Sequence, residues 1–146
     1  MSPMVSQIIR FIIVGVVNTS LDFGVLNLLV IVTGIETGIG VGVLNSVAFV
    51  VAVTNSYFMN KYWTFGIQGE AAKTTEISKF LMVSLIGLGI NSGIVYGVTN
   101  FITPPFAQIG PVSWINISKL VATGVSLVWN FIGYKFFVFK KAGLTS

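Results

Sequence analysis

Four long apolar stretches constrain this chain more than any other feature. Residues 11–33, 39–60, 80–102 and 114–137 hold only three charged residues among them: Asp22, Lys119 and Lys135. A helix that crosses a bilayer needs about 20 mostly apolar residues, and each stretch supplies them. The rest of the composition agrees. Charged residues make up 8% of the 146 and hydrophobic ones 54%, whereas a soluble domain carries about 25% charge. Too few charges remain to coat a water-facing surface, and a disordered chain needs low hydrophobicity. The apolar runs are continuous, without the alternation of barrel strands about ten residues long. The expected fold is therefore all-α: one polytopic membrane domain of four transmembrane helices with a loop over 61–79. The sequence has no Cys and no His, which removes disulfides, Cys/His zinc sites, thiol nucleophiles and Ser-His-Asp triads. No metal or cofactor is expected.

Seven cations fix the expected orientation. Arg10, Lys61, Lys73, Lys79, Lys135, Lys140 and Lys141 lie in or beside the tails and the 61–79 loop, and the turns after the first and third spans carry none. Lys and Arg concentrate on the cytoplasmic side of membrane proteins, so both termini and the central loop are expected there, in a multi-pass protein of the cell membrane. The first span is longer than the roughly 7–15 apolar residues of a signal peptide and lacks an A-x-A-like site, so it is expected to stay uncleaved. Tyr57, Tyr62, Trp63 and Phe65 gather at the end of span two, and Tyr134, Phe136, Phe137 and Phe139 at the end of span four. Tyr and Trp favour the water–lipid boundary.

The halves resemble each other. The block starting at Asn18 can be laid over that starting at Asn91 at an offset of 73, and the block starting at Asn60 over that starting at Tyr134 at 74. Two hairpins of like orientation, a parallel duplication, are expected. Paired repeats are common in transporters, with the substrate site between them.

Helical spacing gives each span a polar or small stripe. The stripes are Gly15, Asn18 and Asp22 in span one, then Asn45, Ala48, Ala52, Asn55 and Met59 in span two. Span three has Ser84, Gly87 and Asn91, and span four has Lys119, Thr123, Ser126, Asn130 and Tyr134. Small and amide residues are ordinary packing devices between membrane helices, and Gly89, Gly93 and Gly97 are read that way. Asp22 and Lys119 demand more. A charge at mid-span costs about 2.5–3.5 kcal/mol on insertion scales and marks a functional site by default. At the helical rise they lie about 18 and 24 Å from the same side, so they are expected to pair, unless Lys119 snorkels outward. At the cytosolic boundary, Arg10, Lys61 and Lys135 serve either as topology anchors or as a phosphate site, since a Lys ammonium pairs with phosphate as a point charge. Asn55, Asn60 and Asn130 lie near enough to bond hydroxyls or phosphate oxygens.

The run from Asn55 to Phe65, NSYFMNKYWTF, resembles the signature of the GtrA-like family. So does Phe11-x-x-Val14-Gly15-x-x-Asn18-Thr19-x-x-Asp22-Phe23, followed by Asn91 and by Lys119, Asn130 and Lys135 at their spacing. The resemblance implies four membrane helices with cytosolic termini. It also implies a flippase that moves a polyprenyl-phosphate-linked sugar to the outer leaflet for cell-surface polysaccharide glycosylation, and not an enzyme. Carried over residue by residue, the family positions are Asn18, Asp22, Asn55, Asn60, Lys61, Asn91, Lys119, Asn130 and Lys135. In the mechanism expected here, Lys61, Lys135, Arg10 and Lys119 meet the phosphate. Asn18, Asp22, Asn55, Asn60, Asn91 and Asn130 would line the sugar groove. Phe137 departs from the Trp expected from its span-two counterpart, Trp63. Expected partners are the lipid-linked sugar, membrane lipid, glycosyltransferases and further copies of the chain, with no nucleic acid. Two other readings stay open: a small multidrug-type cation exporter using Asp22, and a non-transporting membrane partner of a glycosyltransferase.

Overall fold

The computed structural model describes residues 1–36, 38–69 and 71–140. Glu70, Lys141 and the rest of the tail lie outside them. The described elements are all helical. Helix α1 spans Pro3–Thr33, α2 Gly38–Phe58, α3 Thr74–Phe101 and α4 Pro111–Gly133. All four expected spans are present, and the chain is a multi-pass membrane protein.

Caps, more than hydrophobicity, decide where α1 starts and stops. Ser2 Oγ accepts from the Val5 N–H at 3.3 Å and Pro3 opens the first turn, a place where proline loses no bond. The helix therefore begins ahead of the apolar window at residue 11. It ends at Gly34, φ 69°, whose N–H donates to the Val30 carbonyl at 2.8 Å; glycine takes this left-handed cap without steric cost. α3 likewise starts at Thr74, ahead of its window at residue 80, with Glu76 in its first turn, where an acid suits the helix dipole.

α2 and α4 end in a way the hydropathy pattern does not signal. Each widens into a π-helix, π1 over Met59–Thr64 and π2 over Tyr134–Val138. The Phe65 N–H reaches back five residues to the Asn60 carbonyl at 2.9 Å, and the Phe139 N–H to the Tyr134 carbonyl at 2.8 Å. Gly66, φ 64°, turns the chain away after π1.

The chain divides into two compact units, Met1–Glu70 and Ala71–Ser146. Each is a hairpin whose helices run antiparallel, as the pairing of Asn18 with Asn55 and of Ser84 with Tyr134 requires. In the first unit the seam buries Phe11, Val14, Leu44, Ala48, Ala52, Tyr57 and Phe65; in the second, Phe80, Val83, Ser118, Ala122, Ser126, Tyr134 and Phe139.

These buried positions set the register of the repeat. Leu44, Ala48, Ala52, Asn60 and Phe65 match Ser118, Ala122, Ser126, Tyr134 and Phe139 at 74, as expected. In the first helix of each hairpin, Phe11 and Val14 match Phe80 and Val83 at 69, so the alignment of Asn18 with Asn91 at 73 is corrected. The connecting turn explains the shift: residues 102–110 separate α3 from α4, against 34–37 between α1 and α2. Its five extra residues carry 69 to 74. In this register Asn18 matches Gly87, and Asp22 matches Asn91.

Three further expectations change. Asn45 is exposed and Leu44 takes its place in the seam. Gly89, Gly93 and Gly97 face open space within their hairpin, where a Cβ at any of them meets nothing within 4 Å. The close approach instead occurs at Gly87, against the Asn130 side chain, and at Gly133, against Val83. Finally, Tyr57, Phe65, Tyr134 and Phe139 are buried in the seam, so only the other half of the aromatic clusters can serve as a boundary belt.

Ala48 and Ala122 are both 0% exposed and have no room to grow. Ala48→Leu and Ala122→Leu are each expected to destabilise their hairpin by about 1–3 kcal/mol, the usual range for overpacking, measured as a lower Tm of the detergent-solubilised protein. Gly89→Ala should leave Tm within about a degree.

Candidate functional site

Most polar side chains in the spans are satisfied within their own helix. Thr19, Asn27, Thr33, Thr54, Ser84, Thr99 and Asn100 each donate to the carbonyl four residues back, at 2.7 to 2.9 Å. Such bonds make a hydroxyl or amide tolerable in hydrocarbon without any partner. The site residues are those that reach elsewhere.

In the first hairpin, the Asn55 amide donates to Asn18 Oδ1 at 2.7 Å and lies 3.2 Å from Met59 Sδ. The Asn18–Asn55 pair lies across the α1–α2 seam. One turn further along α1, Asp22 Oδ1 is buried and has no hydrogen-bond partner. Nearer the open end of the hairpin, the Asn60 amide donates to the Ser56 carbonyl at 2.9 Å, leaving Asn60 Oδ1 and the neighbouring Thr64 Oγ1 buried and unpartnered. In the second hairpin the expected stripe of α3 faces α4. Ser84 Oγ and the Tyr134 hydroxyl are 2.7 Å apart, and the Asn91 amide lies 3.4 Å from Thr123 Oγ1. Asn130 Oδ1 is buried without a partner beside Gly87. An unpartnered buried polar atom costs about 1–3 kcal/mol, so these atoms mark strain or a missing donor.

The cations form a second group. Lys61 is 0% exposed, with Nζ 3.5 Å from the Tyr57 hydroxyl and 5.8 and 5.7 Å from the Tyr57 and Tyr62 ring centroids. Lys135 repeats the arrangement half-buried, 5.5 and 5.6 Å from the Phe131 and Phe136 rings. A second ringed cation comes from the first helix of each hairpin. The Arg10 guanidinium sits 5.8 Å over Trp63 and donates to its carbonyl at 2.9 Å; Lys79 Nζ sits 5.0 Å over Phe137. Ammonium and guanidinium groups within about 6 Å of a ring face are held by its quadrupole. Each hairpin thus holds two cations against rings at the end away from its turn, where the helix C-termini of α2 and α4 also favour positive charge. Lys61 and Lys135 both lie in the π turns, each against the ring four residues before it and the ring one residue after it.

Sequence reasoning missed Lys79 and Trp129. Lys79-Phe80-x-x-Val83 repeats Arg10-Phe11-x-x-Val14, a signal hidden by the 73-residue alignment. Trp129 stands where the first hairpin has Asn55 and donates its indole N–H to the Val83 carbonyl at 3.0 Å. Lys119 is exposed on α4, off the face that Ser126 and Tyr134 bury. No group of acids able to hold a metal ion occurs among the described residues.

The family described as GtrA/DPMS, transmembrane domain, matches residues 10–139. The chain is also 34% identical over 130 residues to the uncharacterized membrane protein YngA of Bacillus subtilis (strain 168), covering 89% of this chain and 77% of that protein. No solved structure matches it.

Two measurements check this geometry. A double-mutant cycle of Asn18→Ala and Asn55→Ala should return a coupling of about 0.6–1.7 kcal/mol, the range for side-chain bonds between membrane helices. Amine acylation of the folded protein, followed by mass spectrometry, should label the exposed Lys119 at least about ten times faster than the fully buried Lys61, as burial limits reagent access.

Proposed function

The chain belongs to the GtrA/DPMS transmembrane-domain family, and we propose that it is a flippase carrying a polyprenyl-phosphate-linked sugar from the cytosolic to the outer leaflet of the cell membrane, for cell-surface polysaccharide glycosylation. The observation that carries this reading is the set of buried acceptors without donors: Asp22 Oδ1, Asn60 Oδ1, Thr64 Oγ1 and Asn130 Oδ1. A sugar is rich in hydroxyl donors, the groups these atoms lack. Bonds to them would offset much of the cost of moving polar groups through hydrocarbon.

On this reading each residue has a role. Arg10 and Lys135 attract the phosphate at the cytosolic end, and Lys61 adds positive potential from its aromatic seat. Asn18, Asp22, Asn55 and Asn60 then take the sugar hydroxyls, with Asn91 and Asn130 doing so in the second hairpin. Lys119 receives the phosphate on the outer half of the path. No bond is made or broken, so the role is transport and not catalysis.

The unpartnered carboxylate of Asp22 also suits a cation, which keeps a small multidrug-type exporter as the second reading. Four ringed cations at the open ends of the hairpins repel such a substrate, and the remaining acceptors are neutral.

Liposomes holding the purified chain and polyprenyl-phosphate-glucose as the only substrate test the reading. The wild type should expose the glucose to an external oxidant, Asp22→Asn should slow this at least tenfold, and a quaternary ammonium compound should not be moved. No movement without an added glycosyltransferase would replace the flippase with a scaffold. Wild-type speed in Asp22→Asn would remove Asp22 from the path.

A further inference from the structure

One cavity lies wholly within the second hairpin and has no part in the roles above. It has a volume of about 310 Å³ and is lined by Met82, Val83, Ile86, Trp129, Gly133 and Phe137, with no polar lining. That is the lower end of the ~300–1,000 Å³ typical of ligand clefts. The indole N–H of Trp129 is tied to the Val83 carbonyl at 3.0 Å. Gly133, one of the lining residues, lets Val83 pack close, since Val83 stands where a side chain on Gly133 would go.

The matching station of the first hairpin is different in kind. Asn55 stands for Trp129 and Met59 for Gly133, and there Asn55 bonds Asn18 and touches Met59. The duplication has made one station polar and the other an apolar groove. The groove ends at Phe137, whose ring carries the Lys79 ammonium 5.0 Å from its centroid. An apolar trough ending at a cation fits a hydrocarbon chain that terminates in a phosphate. The trough is walled in part by an indole, a phenyl ring and a thioether. Methyl-branched, kinked isoprene units fill such a recess better than a straight acyl chain, which needs only a smooth helix face.

We propose that the α3–α4 groove floored by Val83 and Trp129 seats an isoprenoid segment of a polyprenyl phosphate, with Lys79 beside Phe137 meeting the phosphate. The inference rests on the lipid-linked-sugar reading and adds a place for the lipid.

Trp129 reports directly on the groove. A Trp63→Phe, Trp114→Phe protein leaves it as the sole tryptophan. In nanodiscs of phosphatidylcholine with brominated chains, bromine in the groove quenches Trp129. Undecaprenyl phosphate at a few mole per cent should displace it and raise Trp129 emission about twofold. Dipalmitoyl phosphatidic acid, with the same headgroup chemistry, should not. Ile86→Phe and Met82→Phe fill the groove from half-exposed positions and should each abolish the recovery with the helical circular-dichroism spectrum intact. Lys79→Gln should raise the undecaprenyl phosphate needed for half-recovery about tenfold. Equal recovery with phosphatidic acid, or none with undecaprenyl phosphate, overturns the proposal. Recovery without sugar movement in liposomes supports the groove while removing the flippase; sugar movement at wild-type speed in both filled variants, without recovery, removes the groove alone.

Discussion

In hydrocarbon, a polar group must find a partner or stay costly, and that constraint organises this chain from its helix ends to its site. It makes every span a helix, because only a helix bonds its own backbone within one segment. It returns most Ser, Thr and Asn side chains to the carbonyl one turn back, as at Thr54 and Thr99. The exceptions stand out for that reason. Asn18 and Asn55 bond each other across a seam at 2.7 Å, and Asp22 bonds nothing. On the proposed reading, a ligand carrying hydroxyl donors supplies these partners.

The duplication supplies the second level of organisation. Both hairpins keep the same buried framework, with Ala48 and Ala122 at the tightest point, Phe65 and Phe139 at the close of a π turn, and a lysine between two rings. Here the π turns close α2 and α4, and each carries one of the ring-held lysines. Divergence falls on the face between the conserved points. Asp22 answers to Asn91, Asn18 to Gly87 and Asn55 to Trp129. The first hairpin has an acid and two amides on this face; the second has an apolar recess.

Much of this was legible in the sequence. The four spans follow from hydropathy because lipid leaves little choice of structure, and the stripe of Ser84, Gly87 and Asn91 follows from helical spacing. The π turns were not legible: nothing in NKYWTF or YKFFVF breaks a helix, and the widening depends on which rings the seam can accept. The repeat was half legible. The block at Asn60 aligned correctly, but a turn lengthened by five residues displaced the other, hiding the kinship of Lys79 with Arg10. Within the hairpin, close approach depends on what stands opposite, and that is Asn130 facing Gly87 and Val83 facing Gly133, not the triple-glycine stripe.

The central claim is that the polar column of the first hairpin is wet and takes hydroxyls. The chain has no cysteine of its own, so single cysteines report without background. In membrane vesicles, cysteines at 18 and 55 should react with a charged thiosulfonate reagent, be protected by polyprenyl-phosphate-glucose, and contrast with unreactive cysteines at the exposed apolar positions 16 and 23. Silence at 18 and 55, or reaction that the lipid-linked sugar leaves unchanged, would contradict the account.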